Sequence, residues 1–126
     1  MMGVSAVFGQ KDKLDYPLKG EMIREFGADG YEGLCIKGAA NGAVAASNAG
    51  QIFKRGTHES MGHYLRIRHA GGLDTCYYGL AKSQMDEGMT VKRGETIGQL
   101  DETGILEFFV YARGKAENPM DHLVNP

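Results

Sequence analysis

The chain has only three prolines, two cysteines, no C-x-x-C pair and no long apolar run. Each shortage excludes a class. Without paired C-x-x-C ligands a zinc ribbon has nothing to hold its metal. Cys35 and Cys76 permit one disulfide but no disulfide framework. No stretch approaches the ~20 apolar residues of a membrane span. The first ten residues lack the basic start of a signal peptide. The sequence as it stands therefore reads as soluble, meeting a membrane only through an anchor outside it. A formal net charge of −2 supplies no basic field for nucleic acid.

What the chain does have is glycine, 19 in 126 residues, spread singly between short apolar runs with no collagen-like period. Glycines so placed mark tight turns. The length suits one domain with a real core. Residues 1–16 show no strong periodicity and read as an N-terminal arm, leaving 17–126 as the β domain. Strand candidates follow at 22–26, 32–36, 43–46, 51–54, 64–69, 75–78, 89–91, 96–100 and 105–111. Leu65, Arg66, Ile67 and Arg68 alternate as a half-buried strand should, and Gly71-Gly72 reads as a hairpin turn. Residues 80–87 are the one helical candidate, and they lack an apolar stripe. The pattern predicts an all-β, glycine-rich barrel or sandwich of short, mostly antiparallel strands.

The order of these segments resembles the lysostaphin-type (LytM) zinc metallopeptidase domain, a duplicated hybrid motif, from about Pro17 to Pro119. Phe26-Gly27 matches an early Phe-Gly. Tyr31-Glu32-Gly33-Leu34-Cys35-Ile36 stands where that family carries His-x-Gly-x-Asp-Ile. The hairpin Leu65 to His69, Gly71-Gly72 and Thr75-Cys76-Tyr77-Tyr78-Gly79-Leu80 follows the family's central hairpin, apart from its last histidine. Val91-Lys92-Arg93-Gly94-Glu95-Thr96-Ile97-Gly98 matches its Val-x-x-Gly-x-x-Ile-Gly turn. Ile105-Leu106-Glu107-Phe108-Phe109-Val110 aligns with its closing His-x-His-Phe-x-Val strand.

The resemblance implies cell-wall peptide hydrolysis by zinc, and the residues that would carry it are absent. The family's three ligand positions hold Tyr31, Cys35 and Glu107, and its two catalytic histidine positions hold Gly79 and Ile105. A phenol must ionise from a pKa near 10 to bind zinc, and neither glycine nor isoleucine moves a proton. Thr103-Gly104 runs almost directly into Ile105, so the loop that shapes the family's cleft reads as deleted. Cys35 and Glu107 are competent donors, but two ligands without a base do not make a hydrolase. The simpler reading makes Cys35 a small strand filler and Glu107 a polar residue facing away from the core. No zinc or other cofactor is expected.

Other residues are weighed the same way. His69 matches a family histidine that is not a ligand, so a hydrogen-bonding role is expected. His58 and His63, in a glycine-rich stretch expected to be a loop, are a weak metal pair; His122 lies near the exposed C-terminus. Lys54, Arg55, Arg66 and Arg68 read as wet faces of strands, or as a small patch for an anionic ligand. In Tyr77-Tyr78 and Phe108-Phe109-Val110-Tyr111, neighbours point to opposite faces, so half of each cluster is available to an interface. The binding candidates are Tyr31, Glu32, His69, Tyr78, Glu107, Phe109 and Tyr111.

The resemblance thus implies a pseudoenzyme, similar to the non-catalytic LytM domains of stage II and stage IV sporulation membrane proteins. Such a domain acts outside the cytoplasmic membrane, binding another protein or peptidoglycan. The alternative is a divergent cell-wall endopeptidase with an atypical metal site. A carrier module would need a lysine on an exposed hairpin tip, and a phosphotransferase barrel would need paired histidines. Neither pattern is placed here.

Overall fold

The structure is a computed structural model that describes residues 13–82 and 85–124. It contains ten strands among those residues: β1 (Glu21–Arg24), β2 (Leu34–Lys37), β3 (Ala43–Ala45), β4 (Gly50–His58), β5 (Gly62–Arg68), β6 (Leu73–Lys82), β7 (Thr90–Val91), β8 (Thr96–Leu100), β9 (Ile105–Ala112) and β10 (Lys115–Glu117). Two single-turn 3-10 segments, Ala28–Gly30 and Pro119–Asp121, complete them. The main sheet runs β1-β2-β9-β6-β5-β4-β7. Every pairing between these strands is antiparallel. The far end of β6 also pairs with β8, and β8 with β3, so β6 joins the main sheet to a smaller second layer. The all-β expectation holds.

The inward face of the sheet follows the alternation read from the sequence. Leu34 and Ile36, Leu65 and Ile67, Leu106, Phe108 and Val110 are all buried, and Tyr77 lies among them, fully buried. Val44, Ala46, Ile97 and Leu100 close the core from the second layer. Leu14, within the segment read as a lead-in arm, is also fully buried and bridges to Leu123. Beside it Asp15 accepts both forks of the Arg93 guanidinium at 2.8 Å. Residues 1–12 of that segment lie outside the described residues.

Two local expectations are corrected. Residues 80–87 do not begin a helix: the first three finish β6, where Leu80 pairs with His63 on one side and Leu100 on the other. Neighbouring strands on both edges hold the backbone extended where no apolar stripe asks for a helix. The glycine-rich stretch carrying His58 and His63 is not a loop either. Gly56 pairs with Tyr64, Thr57 with His63 and His58 with Gly62, so a long β4–β5 hairpin turns at 59–61.

A polar chain crosses this core. His69 is 6% exposed. One ring nitrogen bonds the Ala49 carbonyl at 2.7 Å, and the other meets Thr75 Oγ1 at 2.8 Å. Thr75 Oγ1 lies 2.6 Å from the Tyr77 hydroxyl, which also accepts the Ser47 backbone N–H at 3.0 Å. Thr75 and Ser47 are fully buried. These bonds fasten the segment entering β4 to the β5–β6 hairpin, and buried groups need such partners.

Candidate functional site

Residues that alternate with the core make a second, outward face. Three rows cross it: Lys54, Arg66, Cys76 and Phe109; Arg68, Asp74 and Tyr111; and Tyr64, Tyr78, Glu107 and Cys35. Tyr78 is the hub. Its ring centroid lies 4.8 Å from Tyr64, 5.5 Å from Phe109 and 5.8 Å from the His58 ring. Phe109 in turn meets Tyr31 edge-on at 5.6 Å and stacks with Tyr111 at 6.3 Å. Such edge-to-face contacts favour one arrangement of rings. Cys76 is 1% exposed, and its thiol is pushed up to about 11, chiefly by burial.

The family's ligand positions gather at one end of this face. Cys35 on β2 sits directly opposite Glu107 on β9. Tyr31, in the turn before β2, donates its hydroxyl to Glu107 Oε1 at 2.8 Å, and the Arg24 guanidinium lies 4.3 Å from the Tyr31 ring centre. Burial first, then the hydrogen bond to Glu107 and the charge of that carboxylate, holds the Tyr31 phenol well above its ordinary value. Burial and the Glu107 charge also raise the Cys35 thiol, against a weaker pull from Arg24. Two of the three groups thus resist the deprotonation a metal requires, and the third already accepts a hydrogen bond from the first. This donor set does not fit a catalytic zinc.

The catalytic histidine positions fare no better. Gly79 lies in β6 with φ of +101°, in the bulge where β5 and β6 shift register. A Cβ built on it would lie 2.3 Å from the Ile105 carbonyl oxygen. The cause is the short connection: only residues 101–104 join β8 to β9. Asp101 donates its N–H to Gly79 at 3.2 Å, and Gly104 to Asp101 at 3.1 Å, so β9 starts hard against β6. The short connection and the bare Gly79 thus belong to one close approach of β9 to β6. Where β9 approaches this closely, only a bare backbone passes.

The remaining candidates separate from this group. His69 belongs to the core chain on the other side of the sheet, whereas Glu32 is exposed beside Tyr31. His58 and His63 serve their own hairpin: His58 Nδ1 accepts the N–H groups of Ser60 and Met61 at 3.1 Å, and His63 bonds Thr57 at 2.9 Å. His122 bonds Glu117 at 2.7 Å. No group of three or more His, Cys, Asp or Glu comes together among the described residues. Cys35 and Cys76 are both free thiols, kept apart by the intervening strand β9. With strands about 4.8 Å apart, two strand spacings exceed the reach of a disulfide.

Sequence reasoning passed over Asp74. Its side chain, 6% exposed, accepts Arg66 Nε at 3.0 Å and Arg68 Nε and Nη2 at 3.1 Å. Burial works against its charge, and the hydrogen bonds from Arg68 and Arg66 outweigh that, holding the carboxyl below its usual range. The parity of 66, 68 and 74 across a Gly-Gly hairpin was the available signal.

Comparison with known proteins accords with this geometry. The pattern of peptidase family M23 matches residues 29–119. The cell division protein DipM of Caulobacter vibrioides is 31% identical over 99 residues, 75% of this chain and 16% of that protein. Stage II sporulation protein Q of Bacillus subtilis is 28% identical over 90 residues, 66% of this chain and 32% of that one. The chain therefore spans less than a third of the length of these two relatives. Among solved structures, Helicobacter pylori Csd3 superposes with a TM-score of 0.81 at 21% identity, over 93% of this chain and 36% of that one. The SpoIIQ–SpoIIIAH pore-forming complex gives 0.79 at 18% identity, over 92% and 94%. The catalytic domain of lysostaphin from Staphylococcus simulans gives 0.65 at 24%, over 87% and 86%. With its strands, turns and hairpin in the family's order, this chain belongs to peptidase family M23.

Proposed function

We propose that the chain is a non-catalytic M23 domain, a binding module that engages another protein or peptidoglycan on the outer side of the bacterial cytoplasmic membrane. One observation carries the reading. All five positions that would hold zinc or move protons are occupied by Tyr31, Cys35, Glu107, Gly79 and Ile105, and these are packed as structure. Tyr31 is hydrogen-bonded to Glu107, and Gly79 is pressed against Ile105. The outward aromatic face, which carries the family's former ligand positions Cys35 and Glu107, is the surface this reading assigns to binding. A role in sporulation is supported by similarity to Stage II sporulation protein Q. A protein partner is supported by the SpoIIQ–SpoIIIAH complex among the similar structures. No helix among the described residues is long and apolar enough to cross a membrane. Tyr78, Phe109, Tyr111, Tyr31 and Glu32 are the residues proposed to line the contact surface.

The test is digestion of cross-linked peptidoglycan with zinc supplied in excess. We expect no release of soluble fragments, either from the natural chain or from the double variant Ile105→His with Glu107→His. That variant restores the last histidine pair while Tyr31, Cys35 and Gly79 stay wrong, so a base and two ligands are still missing. Zinc-dependent cleavage by the natural chain would establish the endopeptidase reading instead.

A further inference from the structure

We propose that the outward face of β4, β5, β6 and β9 docks an acidic segment of a partner protein, its carboxylates on Lys54, Arg66 and Arg68 and its apolar side chains on the ring platform. The inference rests on the binding role proposed above and names the chemistry of the partner. Charge carries it. Asp74 is one nearly buried carboxylate shared by two guanidiniums, and Lys54, in register with Arg66, is exposed with no carboxylate partner among the described residues. Lys54, Arg66 and Arg68 outnumber Asp74 and the exposed Glu32, whose charge also reaches Tyr111, so this corner stays positive on a chain whose formal net charge is −2. That is local complementarity to an acidic ligand and not a general basic field.

The cations are also held in place. The Arg66 guanidinium lies 4.5 Å from the Tyr111 ring centre, and that of Arg68 lies 3.7 Å from the Phe53 ring centre. Their side chains remain 26% and 52% exposed, so each is fixed on its inner edge by Asp74 and open on its outer edge. A guanidinium fixed by a ring and a carboxylate loses little further freedom when it binds a second carboxylate. Phe53 is 48% exposed beside them. A Cβ on Gly56 would lie 2.8 Å from the Tyr64 hydroxyl, and one on Gly33 would lie 2.8 Å from the Phe109 ring, so bare backbone lets both rings pass close over the neighbouring strand. Phe109 is itself nearly buried beneath its neighbours, and Tyr64, Tyr78 and Tyr111 are the half-buried rings that remain open. An aromatic surface bordered by fixed cations suits an extended segment that carries carboxylates beside aromatic or aliphatic residues.

The probe is a fluorescein-labelled random copolymer of glutamate and tyrosine, with a lysine–tyrosine copolymer and sodium polyphosphate as controls. We expect the glutamate–tyrosine copolymer to bind and the lysine–tyrosine copolymer not to. Affinity should fall roughly ten-fold as salt is raised to about 0.3 M, the behaviour of exposed charge pairs. Lys54→Glu combined with Arg68→Gln should weaken binding by about ten-fold or more, since two cation contacts are lost and one charge is reversed. Lys92→Glu, the same kind of charge change on the turn after β7, should leave it unchanged. Arg66 is kept in the double variant so that Asp74 retains a partner, and an unaltered melting midpoint confirms its fold. Absence of copolymer binding, survival of binding in the double variant, or equal binding of polyphosphate overturns the proposal. Copolymer binding by a chain that also cleaves peptidoglycan would refute the non-catalytic reading and leave this surface standing. Failure of copolymer binding without cleavage would refute the surface alone.

Discussion

Gly79→His is expected to destabilise the domain strongly rather than rebuild a catalytic site. The substitution supplies the residue the wider family carries, so it is the natural first step toward restoring chemistry. Its Cβ would meet the Ile105 carbonyl oxygen at 2.3 Å, and φ of +101° is a conformation that side chains rarely adopt. Relieving the contact means pulling β9 from β6, which breaks the pairing of Tyr78 with Glu107 and Tyr77 with Phe108 beside it. Overpacking and backbone strain of this kind together cost about 3 kcal/mol or more. For a domain of this size that is a fall in melting temperature of roughly 10 °C. Gly79→Ala should give most of the same loss, because the clash begins at Cβ. A melting scan of the two variants checks this. A histidine variant as stable as the natural chain would show that β9 can stand away from β6, as a catalytic cleft would require.

The second large effect is expected at His69. His69→Ala removes a buried ring, leaves the Ala49 carbonyl without its imidazole partner and leaves the Thr75 hydroxyl with Tyr77 alone. A cavity plus a stranded polar group costs about 2–4 kcal/mol. The pH dependence of stability separates this role from mere filling. Burial lowers the His69 pKa, with the Ala49 hydrogen bond and the Asp74 charge pulling weakly the other way. The unfolded chain then binds a proton that the folded chain does not. The contribution is complete above the ordinary imidazole value of about 6.5 and is lost as pH falls toward the lower folded-state value. Asp74, whose folded-state pKa is depressed, contributes its loss from the ordinary carboxylate value downward, and it is present in both proteins, so the difference between them reports His69. Denaturant unfolding of the natural chain and His69→Ala across mildly acidic pH should therefore converge as pH falls. A constant gap would mean that His69 contributes packing alone.

Much of this was legible in the residues. The alternation from Leu65 to Arg68 fixed which side of β5 is buried, and the same parity carries His69 inward with Leu65 and Ile67. Adjacent aromatics divided as their spacing required: Tyr77 and Phe108 went to the core, Tyr78 and Tyr111 to the outer face. The misread segments were those whose conformation is set by neighbours distant in sequence. Leu80 is extended because β5 and β8 pair on either side of it, and no local pattern announces that. The hairpin at Gly56 looked like a loop because its glycine is there to seat Tyr64, a cross-strand reason. At the candidate site, the missing ligands could be counted from sequence. The Tyr31–Glu107 hydrogen bond, between residues 76 apart, could not. Nor could the reason for Gly79, since a glycine alone does not say whether it serves a turn or yields space.

The central claim is that the family's metal site has become a packed, hydrogen-bonded corner. The most direct measurement is mass spectrometry of the native chain under non-denaturing conditions after incubation with zinc and removal of loosely bound ions. The prediction is the mass of the metal-free chain, unchanged by Glu107→Ala. One retained zinc per chain, lost in Glu107→Ala, would contradict it.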